Sequence, residues 1–400
     1  MNEWKETTLG EVIELKRGYD LPQRARVLGT VPIISSSGIS DFHDKAMAKA
    51  PGVITGRYGT IGQVYYIEQD YWPLNTALYV RDFKGNDPKF ISYFLKTVDF
   101  QAYSDKAAVP GLNRNHLHGA HVRVPPLPEQ HAIAAVLGSL ADKIDLNRRM
   151  NETLEAMARA LFKDWFVDFG PVRAKMEGRQ PPGLSADIAA LFPAALDAEG
   201  KPEGWEMLPL DKVADFLNGL ALQKFPGTAD DDLSVIKIAE MRAGVAGEGA
   251  QASKNIPSQY IVEDGDILFS WSGSLIQRIW TGGKGALNQH LFKVTSTRFP
   301  KWLHYYWVEH HLPNFQAIAA SKATTMGHIQ RHHLTEAKTV VGSATLMAAA
   351  NDVFAPLFEQ IIANSLEART LAELRDLLLP KLLSGKIRIK AAAKLIEALQ

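Results

Sequence analysis

The sequence predicts an α+β chain in which two similar globular blocks are joined by two long helices paired as an antiparallel coiled coil, an internal duplication about a pseudo-two-fold axis. Three observations carry this. A heptad seam runs through residues 128–166, a second seam lies 217 positions later, and each is preceded by a stretch with the same landmarks.

Steps of four and three residues pick out Ile133, Leu137, Leu140, Ile144, Asn147, Asn151, Leu154, Ala158, Leu161 and Trp165, an a/d stripe with a polar middle. Pro128 suits a first helical turn, where its missing N–H costs nothing, and Glu129 there favours the helix dipole. One helix over residues 128–166 is roughly 58 Å long at 1.5 Å per residue, and such a stripe needs a partner. Adding 217 gives Ala350, Phe354, Leu357, Ile361, Asn364, Ala368, Leu371, Arg375, Leu378 and Leu382. Asn364 aligns with Asn147, so an antiparallel pair is expected to bring the two together near its centre, where buried Asn fixes register; the alternative is that either sits at the helix edge. Pro356 and Pro380 are expected to kink or shorten the second helix, and Thr345 is its expected N-cap.

Four hundred residues, 46% hydrophobic, suffice for two or three packed domains. The absence of cysteine excludes disulfides and thiolate metal sites. The opening MNEWKETTLGEV lacks an apolar signal core and no unbroken run of about 18 apolar residues occurs, so a cytoplasmic protein without a membrane span is expected. Formal net charge is zero, so any basic footprint must be local.

In chain order, residues 31–34, 52–55, 62–67 and 76–80 are short apolar runs bounded by turn residues and predict strands; residues 88–103 have helical spacing. Residues 170–204 are rich in Pro, Gly and Ala and predict a linker with a short helix near 188–192. Then the landmarks return. Trp205 and its followers echo Trp4 at an offset of 201; Gly265 onward echoes Gly52 onward at 213, as Asn288 echoes Asn75; residues 301–307 track 89–95 at 212.

Residues 125–133 (PPLPEQHAI), residues 161–175 (LFKDWFVDFGPVRAK) and Pro202-Glu-Gly-Trp205, in this order on a duplicated chain, resemble the specificity subunit of type I restriction-modification enzymes over nearly the whole length. Residues 340–346 (VVGSATL) depart from the first copy's Pro-Glu-Gln pattern. The resemblance implies target-recognition domains at 1–126 and 204–343, spacer helices at 127–169 and 344–388, a linker at 170–203 and a tail at 389–400. It further implies a non-catalytic subunit whose two domains read the halves of a bipartite, asymmetric double-stranded DNA target with a fixed gap. Its helices dock two modification (methyltransferase) subunits. S-adenosylmethionine, ATP and Mg belong to the modification and restriction/translocase partners, with no cofactor in this chain.

Base reading needs Arg, Lys, Asn, Gln, Ser and Thr on protruding loops, because bidentate Arg–guanine and Asn/Gln–adenine pairs carry major-groove specificity. The first block offers Arg17, Arg24, Arg26, Ser35, Ser36, Ser37, Arg57, Tyr58, Thr60, Lys106, Asn113 and Arg114. The second offers Lys224, Lys237, Ser270, Trp271, Ser272, Ser274, Gln277, Arg278, Lys322, Thr324, Thr325, His328, Gln330 and Arg331. For each, an ordinary solvated loop residue is the competing reading, and Asn75 and Asn288 serve equally well as braces.

Enzyme patterns are missing: no phosphate loop, no Asn/Asp-Pro-Pro-Tyr/Phe segment, no Gly-x-Ser-x-Gly elbow, and a Glu14-x-Lys16 without a preceding Pro-Asp. His116, His118 and His121, with the His310-His311 and His332-His333 pairs, lack a carboxylate frame, so no metal site is assigned. Trp302, Tyr305, Tyr306 and Trp307 fit a core helix, with a partner surface as the lesser alternative. Phe162, Trp165, Phe166 and Phe169 suit either a partner surface or packing under the second block. The residues alone leave two rivals, a two-headed protein-binding scaffold and, disfavoured by the missing motifs, a stand-alone DNA enzyme.

Overall fold

The computed structural model describes residues 4–104, 111–227, 232–247, 249–321 and 327–397. The chain forms two compact units, Met1–Ile144 with Thr370–Gln400, and Asp145–Arg369. Both long helices, Leu127–Phe162 and Ala344–Leu383, contribute to both units.

The first unit pairs Lys5–Thr8 with His121–Val124. Its main sheet is antiparallel in the order Glu14–Arg17, Ala77–Asp82, Gly52–Gly56, Val64–Ile67. A smaller sheet orders Gly38–His43, Val31–Ser35 and Trp72–Pro73, the last pair parallel. Asp87 caps the helix Pro88–Leu95 by accepting the Phe90 N–H at 2.6 Å, and Phe90, Ile91 and Leu95 are buried. Ile133, Leu137 and Leu140 share this core with Leu374, Leu378 and Leu382, each burial contributing ~1.5–3 kcal/mol. Glu129 pairs with Arg388, and Asp142 and Arg375 both act on Tyr93, so the helices run antiparallel here.

The Glu129-Gln130 pair has a structural use. Glu129 accepts the Trp4 indole N–H at 3.1 Å. Buried Gln130 accepts the Asp87 N–H and donates to Asn86 Oδ1 and the Pro125 carbonyl, joining the helix start to the Asp87 cap.

The second unit repeats the plan. Glu206–Pro209 pairs with Lys338–Val341. The main antiparallel sheet runs Asp215–Asn218, Leu291–Thr295, Ile267–Ser270, Gln277–Ile279, the same order as before. The smaller sheet again holds one parallel pair, Leu233–Ile236 with Gly285–Leu287. Helix Lys301–Ser321 stands where Pro88–Leu95 stands in the first unit and buries Trp302, Tyr306, Trp307 and Phe315, as the aromatic stripe predicts.

Several expectations need correction. Asn147 and Asn364 are both buried but do not meet. Asn147 donates to Glu367 at 2.7 Å, whereas Asn364 donates to Asn151 Oδ1 at 2.9 Å, one helical turn away. Asn151 also donates to Ser365 and the Ile361 carbonyl. A translational alignment of two copies does not give the register of an antiparallel pair, which the contacts set instead. The second helix runs through Pro356 and Pro380, because burial of Phe354, Phe358, Ile361, Leu378 and Leu382 on its seam outweighs the hydrogen bonds the rings remove. Ser343, not Thr345, caps it, accepting the Leu346 N–H at 3.3 Å. That helix is long and apolar enough to cross a membrane by length and composition, and its buried positions face a protein core.

The first long helix ends at Phe162 and widens into a π turn, Lys163–Val167. The wider turn sends Phe162, Trp165 and Phe166 inward against Trp205, Trp302, Tyr306 and Phe354, with Trp302 stacked on Phe354 at 4.5 Å. Of the two readings offered for these aromatics, packing inside the second unit is the observed one.

Candidate nucleic-acid interface

In the first unit, the turn after strand Gly52–Gly56 and the residues leading into helix Arg114–His118 form two walls of a cleft. The Arg57 N–H donates to the Thr76 carbonyl at 2.9 Å and its carbonyl accepts the Leu112 N–H at 3.0 Å. Gly59 holds the turn with φ +76°, a conformation that disfavours side chains. Asn113 caps the helix by accepting the Asn115 N–H at 3.0 Å and leaves Arg114 as its first residue.

The cleft is lined by Arg17, Arg57, Tyr58, Leu78, Gly111, Leu112, Asn113 and Arg114, with no carboxylate among them. Five sequence-predicted residues thus come together although they are spread over nearly a hundred positions. The Arg57 guanidinium lies over the Tyr58 ring at 4.6 Å, and Tyr58 in turn presses on Gly111, where a Cβ would stand 2.6 Å from the ring. Arg17 has an exposed partner in Asp20 at 3.7 Å; Arg57 and Arg114 have no carboxylate partner among the described residues. Such an arrangement presents planar, charge-assisted donors to a ligand rich in acceptors.

The hairpin turn of Ser35, Ser36 and Ser37 borders this region: the Thr60 hydroxyl donates to the Ser36 carbonyl, and Ser35 Oγ lies 3.0 Å from Ser37 Oγ. Arg24 is exposed on the 3-10 turn Gln23–Ala25, while Arg26 is held by Asp41 at 2.9 Å. Lys106 lies outside the described residues.

The second unit builds the same frame. Trp271 N–H donates to the His290 carbonyl, and the Trp271 carbonyl accepts the Ile329 N–H at 3.0 Å. Ser272 bridges His328 as Tyr58 bridges Gly111. Gly273 repeats the positive φ at +68°. Arg57 therefore corresponds to Trp271, Tyr58 to Ser272, Gly111 to His328, Asn113 to Gln330 and Arg114 to Arg331. The offset is 214 for the first two pairs, one more than the 213 expected, and 217 for the other three: Gly265, matched to Gly52 in the sequence, sits in the turn before the strand rather than in it.

That slip corrects one assignment outright. Ser270 occupies the place of Gly56 and is fully buried; its hydroxyl donates to the Ser274 carbonyl at 2.7 Å and accepts the Ile276 N–H at 2.8 Å, so it braces the turn and offers nothing to DNA. Ser272 is also buried, 3.0 Å from His290 Nδ1. Lys224 is exposed on the turn Leu222–Lys224, and Lys237 precedes the helix Ile238–Ala243, its N–H accepted by Glu240. Arg278 donates to the Met241 and Arg242 carbonyls and Gln277 to the Tyr305 carbonyl, so both are tied inward. Ser274 borders a separate hollow with Arg242, Gln316 and Gly327. Arg331 extends over Phe292 at 5.7 Å and donates to the Phe216 carbonyl. Lys322, Thr324 and Thr325 lie outside the described residues.

Asn218, His290 and Phe292 belong to this second crown and were missed. Asn218 accepts the Trp271 indole N–H at 2.8 Å, and both rings lie near Trp271, at 5.9 and 6.1 Å. Carrying the Trp4–Trp205 echo forward by its offset of 201 leads from Arg17 to Asn218, so the signal was present.

Donor atoms of His332, His333 and Glu336 approach within 4.8 Å of one another, the only such trio of His and carboxylate groups among the described residues. His333 Nδ1, however, already accepts the Gln330 N–H at 2.9 Å as a helix cap. In the first unit, His118 Nε2 accepts the Leu15 N–H at 2.9 Å, and burial lowers its pKa, so this imidazole serves the backbone.

A sequence profile described as the type I restriction modification DNA specificity domain matches residues 1–156. The type I restriction enzyme HindI specificity subunit of Haemophilus influenzae is 24% identical over 468 residues, spanning 97% of this chain and 100% of that protein. The MjaIX specificity subunit of Methanocaldococcus jannaschii is 23% identical over 314 residues, 76% of this chain and 69% of that one. The crystal structure of the type I restriction-modification system S subunit from M. genitalium superposes with a TM-score of 0.57 at 16% identity, covering 95% and 96% of the two chains, which shows a shared fold. Over nearly its whole length the chain is thus similar to a specificity subunit of type I restriction enzymes, and its first 156 residues match the profile of their DNA specificity domain.

Proposed function

We propose that this chain is the non-catalytic DNA sequence-specificity subunit of a type I restriction-modification complex. Each unit reads one half of a bipartite, asymmetric target, and the paired helices set the gap between the halves and dock two modification subunits. S-adenosylmethionine, ATP and Mg act on the modification and restriction partners, and the complex works on cytoplasmic DNA. One observation carries the reading: the two units share a hydrogen-bonded frame, which borders a cleft in the first, and the side chains on that frame differ. Two different readers on one scaffold are what an asymmetric split target requires.

Selecting bound duplexes from a randomised library, with the chain co-expressed with its modification subunit, tests this. Two short fixed blocks separated by a constant gap are expected. Removing one heptad from both long helices shortens them by about 10 Å and should shorten the gap by roughly three base pairs. Absence of enrichment by an intact complex would overturn the reading.

A further inference from the structure

We infer that Arg57 reads a guanine in the half-site of the first unit, whereas the corresponding Trp271 imposes no guanine in the other half-site and reads by apolar contact. The inference rests on the DNA-specificity reading above.

Both residues are fixed by the same two backbone hydrogen bonds, so the frame points the same position at the ligand in each unit. What differs is the chemistry left over. Arg57 is half-buried in its cleft, steadied by the Tyr58 ring, with no carboxylate partner among the described residues. Its planar fork therefore keeps paired donors for a group with two neighbouring acceptors. In the major groove, guanine O6 and N7 are such a pair, and a phosphate offers similar acceptors. Burial separates the two sources: Arg17 and Arg114 are exposed and suit the DNA backbone, while Arg57 lies deeper and meets whatever enters the cleft.

Trp271 has spent its only donor. Its indole N–H goes to Asn218 Oδ1 at 2.8 Å and the Gln289 carbonyl at 3.1 Å. The ring remains, grouped with His290, Phe292 and His328, a surface suited to a thymine methyl rather than to guanine acceptors.

The test is the same library selection on the wild-type complex and on complexes carrying Arg57→Gln, Arg57→Lys or Trp271→Ala, followed by binding to single-base variants of the selected duplex. The wild type is expected to select guanine in the block read by the first unit. Arg57→Gln should reduce the preference for guanine at one position by on the order of ten- to a hundred-fold. Arg57→Lys should not restore it, since a lysine keeps the charge and loses the fork. Trp271→Ala, which removes the ring, should relax one position of the second block, where thymine is expected, and leave the first block unchanged. Retention of the second block in the Arg57 variants shows that the chain is folded.

Three results would overturn the inference while leaving the DNA reading intact: no guanine in the first block, uniform weakening by Arg57→Gln with rescue by Arg57→Lys, or a second block unchanged in Trp271→Ala. A wild-type complex that selects no duplex overturns the DNA reading itself.

Discussion

At the head of the first unit the turn reads Arg57-Tyr58-Gly59-Thr60; at the head of the second it reads Trp271-Ser272-Gly273-Ser274. The backbone frame is shared, down to the positive φ of Gly59 and Gly273 and the hydrogen bonds on either side of Arg57 and Trp271. Across the cleft the volumes are exchanged. Large Tyr58 faces Gly111, while small Ser272 faces His328. A reader of this kind changes its ligand by trading side chains in compensating pairs over a backbone it leaves alone.

Breaking the second unit while sparing the first is the strongest test of that separation. Phe354→Ala removes a fully buried ring that stacks on Trp302 and should cost about 3–5 kcal/mol. Calorimetry and limited proteolysis should show the loss confined to residues 145–369, with fragments of the first unit still protected.

A second contrast lies in the helices that follow the main sheets. Ser92 is buried in the first unit with its hydroxyl on the Lys89 carbonyl, and the position that tracks it in the second is His304. His304 is buried and neither ring nitrogen makes a well-formed hydrogen bond; burial, reinforced by the charge of Lys301, pushes its pKa down to about 4. An unfolded histidine titrates near 6.5, so on acidification the unfolded chain takes up the proton first. Its contribution is therefore constant above about pH 6.5, and stability is lost as the pH falls towards 4, by roughly 3 kcal/mol in all. His304→Leu should flatten that part of the stability curve of the second unit, as followed by thermal denaturation at pH 4.5 and 7; an unchanged slope would remove His304 as its cause.

The exchange of volumes is testable directly. Gly111→Ala places a methyl 2.6 Å from the Tyr58 ring and should destabilise the first unit by ~1–3 kcal/mol. Adding Tyr58→Ser, as the second unit has it, should recover most of that, and a double variant as unstable as the single one would refute the compensation.

Smallest is the polar layer of the second unit. Asn364→Leu leaves the half-buried Asn151 Oδ1 without its donor and should cost about 1 kcal/mol. The seam of the first unit, all leucine and isoleucine at Ile133, Leu137, Leu140, Leu374 and Leu378, has no such layer, so the same melting experiment should leave it unmoved.

Periodicity and repetition made the duplicated fold legible, because a heptad stripe and a repeated Trp, Gly and Asn are local facts. Arg17, Arg57, Tyr58, Asn113 and Arg114 were legible by type, yet their meeting in one cleft depends on strand pairing that no spacing reveals. Side chains alternate along a strand, so the single-residue slip from 213 to 214 was enough to exchange buried Ser270 for Trp271 in the crown. The pairing of Asn364 with Asn151 was hidden for a related reason: antiparallel register depends on both helices at once.

The first unit is completed by residues 370–400, which supply Leu374, Leu378 and Leu382 to its core. On the ribosome, therefore, Ile133, Leu137 and Leu140 emerge more than two hundred residues before the side chains that cover them. The second unit is contiguous in sequence and is fully made before the first can close. Synthesis order and completion order are thus reversed: the domain translated first finishes last. A message truncated between the two long helices yields a chain with an uncovered leucine stripe, the kind of surface that chaperones and proteases capture.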